Sequence, residues 1–144
     1  MRLSMTTDYA IRCLMYLSQN TGVSTSQKVC EYTGISSDEH TRKILRRLKQ
    51  GGLVRSDQGA KGGYSLARPL SSITFLDVIL CTDDTIHINP LPFHPPGFAE
   101  KQQAVQRYYA VTQEMIAAYF SSVTIPDILE GKLPVWTLQP QKTE

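Results

Sequence analysis

Between Gly34 and Arg68 the chain reads GISSDEHTRKILRRLKQGGLVRSDQGAKGGYSLAR, a cation-studded helical pattern followed at once by a short hairpin pattern tipped with glycine. That order of elements restricts the possible folds more than anything else in the 144 residues. Ile44, Leu45 and Leu48 recur at spacings of one, three and four, which marks one buried stripe of a helix. Gly51 and Gly52 stop it. Leu53 to Ser56 then alternates as a strand, Asp57 to Gly63 has glycine at three of seven positions, and Tyr64 to Leu66 returns. Upstream, Ser24 with Gln27 predicts a capping box that opens a short helix, carries Val29 and Cys30 inward and ends at Gly34. Ile35 packs the turn, and Ser36 with Glu39 predicts a second box. Two helices across a tight turn, followed by a glycine-rich hairpin, predict a winged helix-turn-helix: a mainly α fold with a small β-hairpin wing.

With Ile44, Leu45 and Leu48 inward, Asp38, Glu39, Arg42, Lys43, Arg46 and Lys49 face outward. Cations dominate the later turns, where phosphates of a duplex would lie. The first turns, with Ser37, Asp38 and Glu39, carry the mixed donors and acceptors suited to base edges. Arg42 is the expected base contact, because its planar fork can satisfy both acceptors of a guanine. Lys43 and Arg46 are expected on phosphates, with Arg47 and Lys49 as weaker candidates. Gln58 and Lys61 give the hairpin tip polar and cationic reach into a minor groove. The competing account of this helix is a solvated charged face on an ordinary three-helix domain. The segment Gly59-Ala60-Lys61-Gly62-Gly63 lacks the spacing and the following helix of a nucleotide-phosphate loop.

Charge distribution favours a polyanion partner. Residues 1–70 hold eleven Lys and Arg against five Asp and Glu, a net of +6, whereas residues 71–144 hold four against eight, a net of −4. The whole chain carries only +2, so the asymmetry speaks for the front half alone. No run of 18 apolar residues occurs, and MRLSMTTDYAIR lacks a continuous apolar core, so a soluble cytoplasmic protein with no membrane partner is expected. Cys13, Cys30 and Cys81 form neither a CxxC pair nor an even set, which fits no disulfide framework or zinc knuckle. They read as packing cysteines.

Together these residues resemble the Rrf2-type winged-helix transcriptional regulators of bacteria. MRLSMTTDYAIRCLMYL is similar to that family's opening segment, and GISSDEHTRKILRRLKQGGLVRS to its recognition helix and first wing strand. GAKGGYSLARP resembles its wing and SITFLDVI its next helix. The resemblance implies a DNA-binding domain over residues 1–82 and, after a proline-rich loop at 83–97, a dimerisation helix and C-terminal segment over 98–144. It also implies homodimers formed through that long helix. The sequence supports the dimer independently: Phe98, Val105, Tyr108, Tyr109, Thr112, Met115, Ile116, Tyr119, Phe120 and Val123 recur at threes and fours. A stripe so long serves two surfaces, with Val105, Tyr108, Tyr109, Thr112, Ile116 and Tyr119 expected at the partner. A long helix packed wholly within one chain is the alternative.

Many members of the family hold an iron–sulfur cluster on three cysteines between the fourth helix and the long helix. Here that segment, TDDTIHINPLPFHPPGFAEKQQAV, contains no cysteine, so no cofactor is expected. His87 and His94, with Asp83 and Asp84 nearby, lack an i, i+4 pair and read as surface histidines on a stiff loop bearing Pro90, Pro92, Pro95 and Pro96. A pocket for a small-molecule or protein effector between this loop, the first helix and the long helix is one reading, with Tyr16, Phe93, Phe98, Tyr108 and Trp136 as candidate aromatic walls; an ordinary core position is the default for each. The leading function is therefore a dimeric DNA-binding regulator acting as a repressor. A winged helix that regulates a partner enzyme by direct contact is the alternative. Catalysis is not expected, since no nucleophile–base pair, carboxylate pair at helical spacing or metal constellation is present in the sequence.

Overall fold

The computed structural model describes residues 4–83, 99–132 and 134. Its elements run α1 (Met5–Gln19), α2 (Ser26–Thr33), α3 (Asp38–Gln50), β1 (Val54–Asp57), β2 (Gly63–Leu66), α4 (Phe75–Thr82), α5 (Ala99–Ser122) and α6 (Ile125–Leu129), with a 3-10 turn at Leu70–Ser72 before α4. This is the expected mainly helical fold with a two-stranded hairpin and a long C-terminal helix. Phe93, Phe98, Trp136, Asp84, His87, His94 and the prolines at 90–96, singled out from the sequence, lie outside the described residues.

The core forms around α1, whose Ala10, Cys13 and Leu14 have no exposed surface. Against it pack Val29 of α2, Ile44, Leu45 and Leu48 of α3, Leu53 and Val54 of the wing, Val78 of α4 and Ile125 of α6. Each such side chain contributes about 1.5–3 kcal/mol through removal from water. This burial fixes the rotation of α3: with three apolar side chains inward, the cations between them must face solvent.

The strands pair antiparallel, Val54 opposite Leu66 and Asp57 opposite Gly63. A third segment joins them, for Ser24 exchanges both backbone hydrogen bonds with Tyr64 at 2.8 Å. Gly63 is needed at that junction, because a Cβ there would lie 2.5 Å from the Ser24 carbonyl oxygen. Neither predicted capping box forms: each helix has a single N-cap one residue further on. Ser24 is drawn into the sheet, and Thr25 caps α2 by accepting from Lys28 N. Ser37, not Ser36, caps α3, accepting from His40 N at 3.1 Å. Of the two α2 residues expected inward, Val29 is buried and Cys30 half-buried.

The C-terminal part is clasped to the winged domain by paired helix starts. Thr74 and Thr124 face each other in an isolated bridge, with Phe75 N donating to Val123 O and Ile125 N to Ile73 O. Each threonine also caps its own helix in a reciprocal box, Thr74 with Asp77 and Thr124 with Asp127. Phe75 meets Phe120 edge-on at 4.9 Å, which anchors the end of α5 against α4. Twenty-four residues make α5 about 36 Å long, so its earlier turns extend past this anchor.

Candidate nucleic-acid interface

Four of the expected DNA-facing residues are tied in two pairs along α3. Asp38 pairs with Arg42 at 2.6 Å and Glu39 with Lys43 at 3.0 Å, both at i, i+4. Arg42 is held further: its Nε donates to Ser26 Oγ of α2 at 3.1 Å. The Glu39 carboxyl is held below its usual range by the hydrogen bond from Lys43 and then by its charge. Both partners of that pair are largely exposed, so water screens it and the lysine is free to turn to another anion. Ser37 stands at the solvent-exposed start of α3 with its hydroxyl oxygen engaged as the cap. Arg46 is exposed and, among the described residues, makes no hydrogen bond or ion pair.

Two further cations behave differently from one another. Arg47, a weaker phosphate candidate from sequence, is exposed but turns Nη1 to α4 and donates to the Thr82 carbonyl at 2.6 Å, which braces α3. Lys49 reaches the wing and donates to Ser56 Oγ at 2.6 Å. Gln58 and Lys61 are exposed at the wing tip. Arg55, which helix periodicity does not flag, is an exposed cation on β1 whose Nε donates to Ser65 Oγ at 3.0 Å. Its signal was the alternation of the strand, which buries Val54 and turns Arg55 out. The basic surface is thus built from α3 and the wing together.

Along α5 much of the apolar stripe is left uncovered by the other described residues. Tyr108 is 69% exposed, Val111 50%, Val105 48% and Met115 47%, while Tyr109, Thr112, Ile116 and Tyr119 are half-buried. The Tyr16 and Tyr32 rings meet at a tilt with centres 4.8 Å apart, and Tyr108 lies 6.2 Å from Tyr109.

The model of the Rrf2 family, described as iron-dependent transcriptional regulators, matches residues 3–131 of this sequence. The chain belongs to the Rrf2 family. A Mycobacterium tuberculosis (strain H37Rv) protein named as an HTH-type transcriptional regulator is 29% identical over 143 residues, covering 93% of this chain and 84% of that protein. Protein aau3 of Rhizobium meliloti is 40% identical over 86 residues, which span 59% of this chain and 55% of that protein. Among solved structures, CymR, the global cysteine regulator of B. subtilis, superimposes with a TM-score of 0.65 at 21% identity, covering 91% of this chain and 98% of that one. IscR of T. potens gives 0.63 at 22% identity over 92% and 88%. The fold of this Rrf2 chain is that of winged-helix regulators, and it is a DNA-binding transcriptional regulator of that family. Among the described residues no helix is long and apolar enough to cross a membrane.

The family's iron can be tested against the donors of this Rrf2 chain. Its three thiols lie on α1, α2 and α4, and residues 82–112 contain none. Cys13 is fully buried, and burial, with Cys30 adding to it, pushes its thiol up to about 12. Cys30 donates to the Ile35 carbonyl at 3.3 Å. Burial and the nearby Asp77 raise Cys81 as well, against the smaller opposing influence of Arg68. Iron clusters need accessible thiolates on one side of one cavity. Cys13 and Cys81 are disfavoured as thiolates and Cys30 is engaged with a backbone carbonyl, so the cysteines present do not fit a three-thiolate cluster.

Proposed function

We propose that this Rrf2 chain is a homodimeric repressor, with residues 1–82 reading DNA and residues 98–144 making the dimer and C-terminal segment. The carrying observation is the orientation of α3. Its three apolar side chains are at most 1% exposed, while Arg42, Lys43 and Arg46 all face water. Placed in a major groove, α3 brings Arg42 to base edges and Lys43 and Arg46 to phosphates, as the wing sets Lys61 and Gln58 on the neighbouring minor groove. Ser37, Asp38 and Glu39 enter first, at the N-terminal end of the helix.

The dimer is supported by the exposed tyrosine, valines and methionine on α5, a stripe that a second copy of the same helix would cover through Val105, Tyr108, Tyr109, Thr112, Ile116 and Tyr119. Two-fold symmetry then gives a nearly palindromic operator, with half-sites about one or two helical turns apart. Repression follows from occupying such a site within a promoter. An effector acts by changing the spacing of the two α3 helices, and the misfit of the thiols to a cluster makes that signal something other than a family-type iron–sulfur centre. The test is selection of genomic fragments on purified protein, followed by footprinting. Two symmetric protections separated by whole turns are expected. A single asymmetric footprint, or no retained fragment, contradicts the proposal.

A further inference from the structure

The two ion pairs on α3 have the same spacing but differ in construction. Lys43 is held only by Glu39 on its own helix, and the two side chains are 65% and 80% exposed. Arg42 is bracketed from two helices: Asp38 Oδ2 accepts from Nη2 at 2.6 Å, and Ser26 Oγ on α2 accepts from Nε at 3.1 Å. Ser26 is itself buried, and the Asp38 side chain is only 33% exposed. The second oxygen of that carboxylate, Oδ1, is shielded from water and has no hydrogen-bond partner among the described residues. Asp38 therefore depends on Arg42 for compensation, which makes the pair stiffer than an exposed salt bridge.

Nε and Nη2 lie along one edge of the guanidinium, so the bracket occupies that side edge and leaves the outer end, the remaining hydrogens of Nη1 and Nη2, to point away from the helix pair. A planar fork offered end-on matches the O6 and N7 acceptors of guanine. We propose that Asp38 and Ser26 are positioning residues that lock Arg42 for guanine, so that each half-site carries a specified G·C pair opposite this position. The inference rests on the proposed DNA-reading role of α3 and adds to it a base identity and the residues that enforce it. Asp38 has a second effect by charge alone: a carboxylate on the DNA-facing helix repels phosphates, which lowers affinity for every sequence while the bracket raises discrimination.

That opposition gives a test in which stability cannot imitate the result. Operator DNA from genomic selection is altered one base pair at a time, and full-length wild type, Asp38→Asn, Ser26→Ala and Arg42→Ala are titrated by anisotropy against each duplex and against scrambled DNA. Wild type is expected to lose about tenfold or more when one G·C pair per half-site is replaced, and Arg42→Ala to lose that preference. Asp38→Asn should reduce the same preference several-fold while binding scrambled DNA at least as tightly as wild type. Ser26→Ala should reduce the preference with scrambled binding unchanged. If both bracket variants keep the full preference that Arg42→Ala abolishes, positioning by Asp38 and Ser26 is overturned and base reading by Arg42 stands. If Arg42→Ala keeps every preference of wild type, the inference fails while DNA binding survives. If wild type retains no fragment, the proposed function itself fails.

Discussion

Adding one methyl group at Gly51 should loosen the end of the recognition helix, and removing one sulfur atom should restore it. Gly51 closes α3 with φ −80° and ψ 1°, a conformation open to any residue, so alanine there carries no backbone strain. The obstacle is steric: a Cβ at this position would stand 2.1 Å from Cys81 Sγ and 3.6 Å from Cys81 Cβ. Carbon–sulfur contact needs roughly 3.5 Å or more, so the thiol must retreat by about 1.4 Å, or rotate into the one other staggered well that a helix leaves open. Gly51→Ala is expected to destabilise by about 1–2 kcal/mol, the lower part of the overpacking range. In a Cys81→Ala background the clash is gone, and the same change should be neutral or stabilising by about 0.4–1 kcal/mol through the unfolded chain. The coupling would then be about 1.5–3 kcal/mol. Urea unfolding followed by circular dichroism at fixed protein concentration measures it for all four proteins. Gly52 supplies the control. Its φ is +74° with nothing within 4 Å of an added Cβ, so Gly52→Ala should cost about 1–2 kcal/mol from backbone strain alone, equally in both backgrounds. If Gly51→Ala costs the same with and without Cys81, to within about 0.5 kcal/mol, then α4 does not brace α3 in the way described.

Three other outcomes follow. Tyr108→Glu combined with Met115→Glu should shift the protein from twice its 16.1 kDa chain mass to the chain mass itself in light scattering after gel filtration, and an unchanged dimer would move the interface off α5. Purified anaerobically, the protein should be colourless; a brown preparation with stoichiometric iron and sulfide would overturn the reading of Cys13, Cys30 and Cys81. Burial opposes ionisation of Asp77, but hydrogen bonds from Thr74 and Arg68 outweigh it and hold the carboxyl below its ordinary range. That contribution is present above the unfolded value of about 4 and is lost as pH falls through the folded one, so Asp77→Asn should lower the urea midpoint at pH 7, with the gap beginning to close near about pH 4 and vanishing only below the folded value. A difference that persists in acid would assign the effect to capping geometry rather than charge.

Much of the reader was legible in the sequence because its signals are periodic and redundant. Ile44, Leu45 and Leu48 set which face of α3 is dry, and that alone places Arg42, Lys43 and Arg46 outward. The wing was equally plain from Gly59, Gly62 and Gly63. What could not be read depended on contacts between distant segments. Ser24, Thr25 and Ser26 are all able to cap a helix, and the choice of Thr25 was made by Tyr64, which takes the Ser24 backbone into the sheet. Arg47 looked like one more cation until the Thr82 carbonyl, thirty-five residues away, claimed it. Ser26 lay in a run of polar residues with nothing to mark it, and its bond to Arg42 exists only because α2 and α3 pack together. The clasp between Thr74 and Thr124 is of the same kind: each threonine is a recognisable cap on its own, and their pairing is a property of the fold.

Whether the cations of α3 and the wing engage a duplex can be read from the salt dependence of operator binding. Lys43 and Arg46 offer two phosphate contacts per protomer and Lys61 a third cation in the minor groove, which makes six neutralising charges per dimer, so the slope of log affinity against log salt should be about −5. Replacing Lys43 and Arg46 by alanine removes four contacts from the dimer and should flatten the slope to about −2, with affinity lowered on every sequence alike. A wild-type slope near zero, or a slope that the double variant leaves unchanged, would contradict the account.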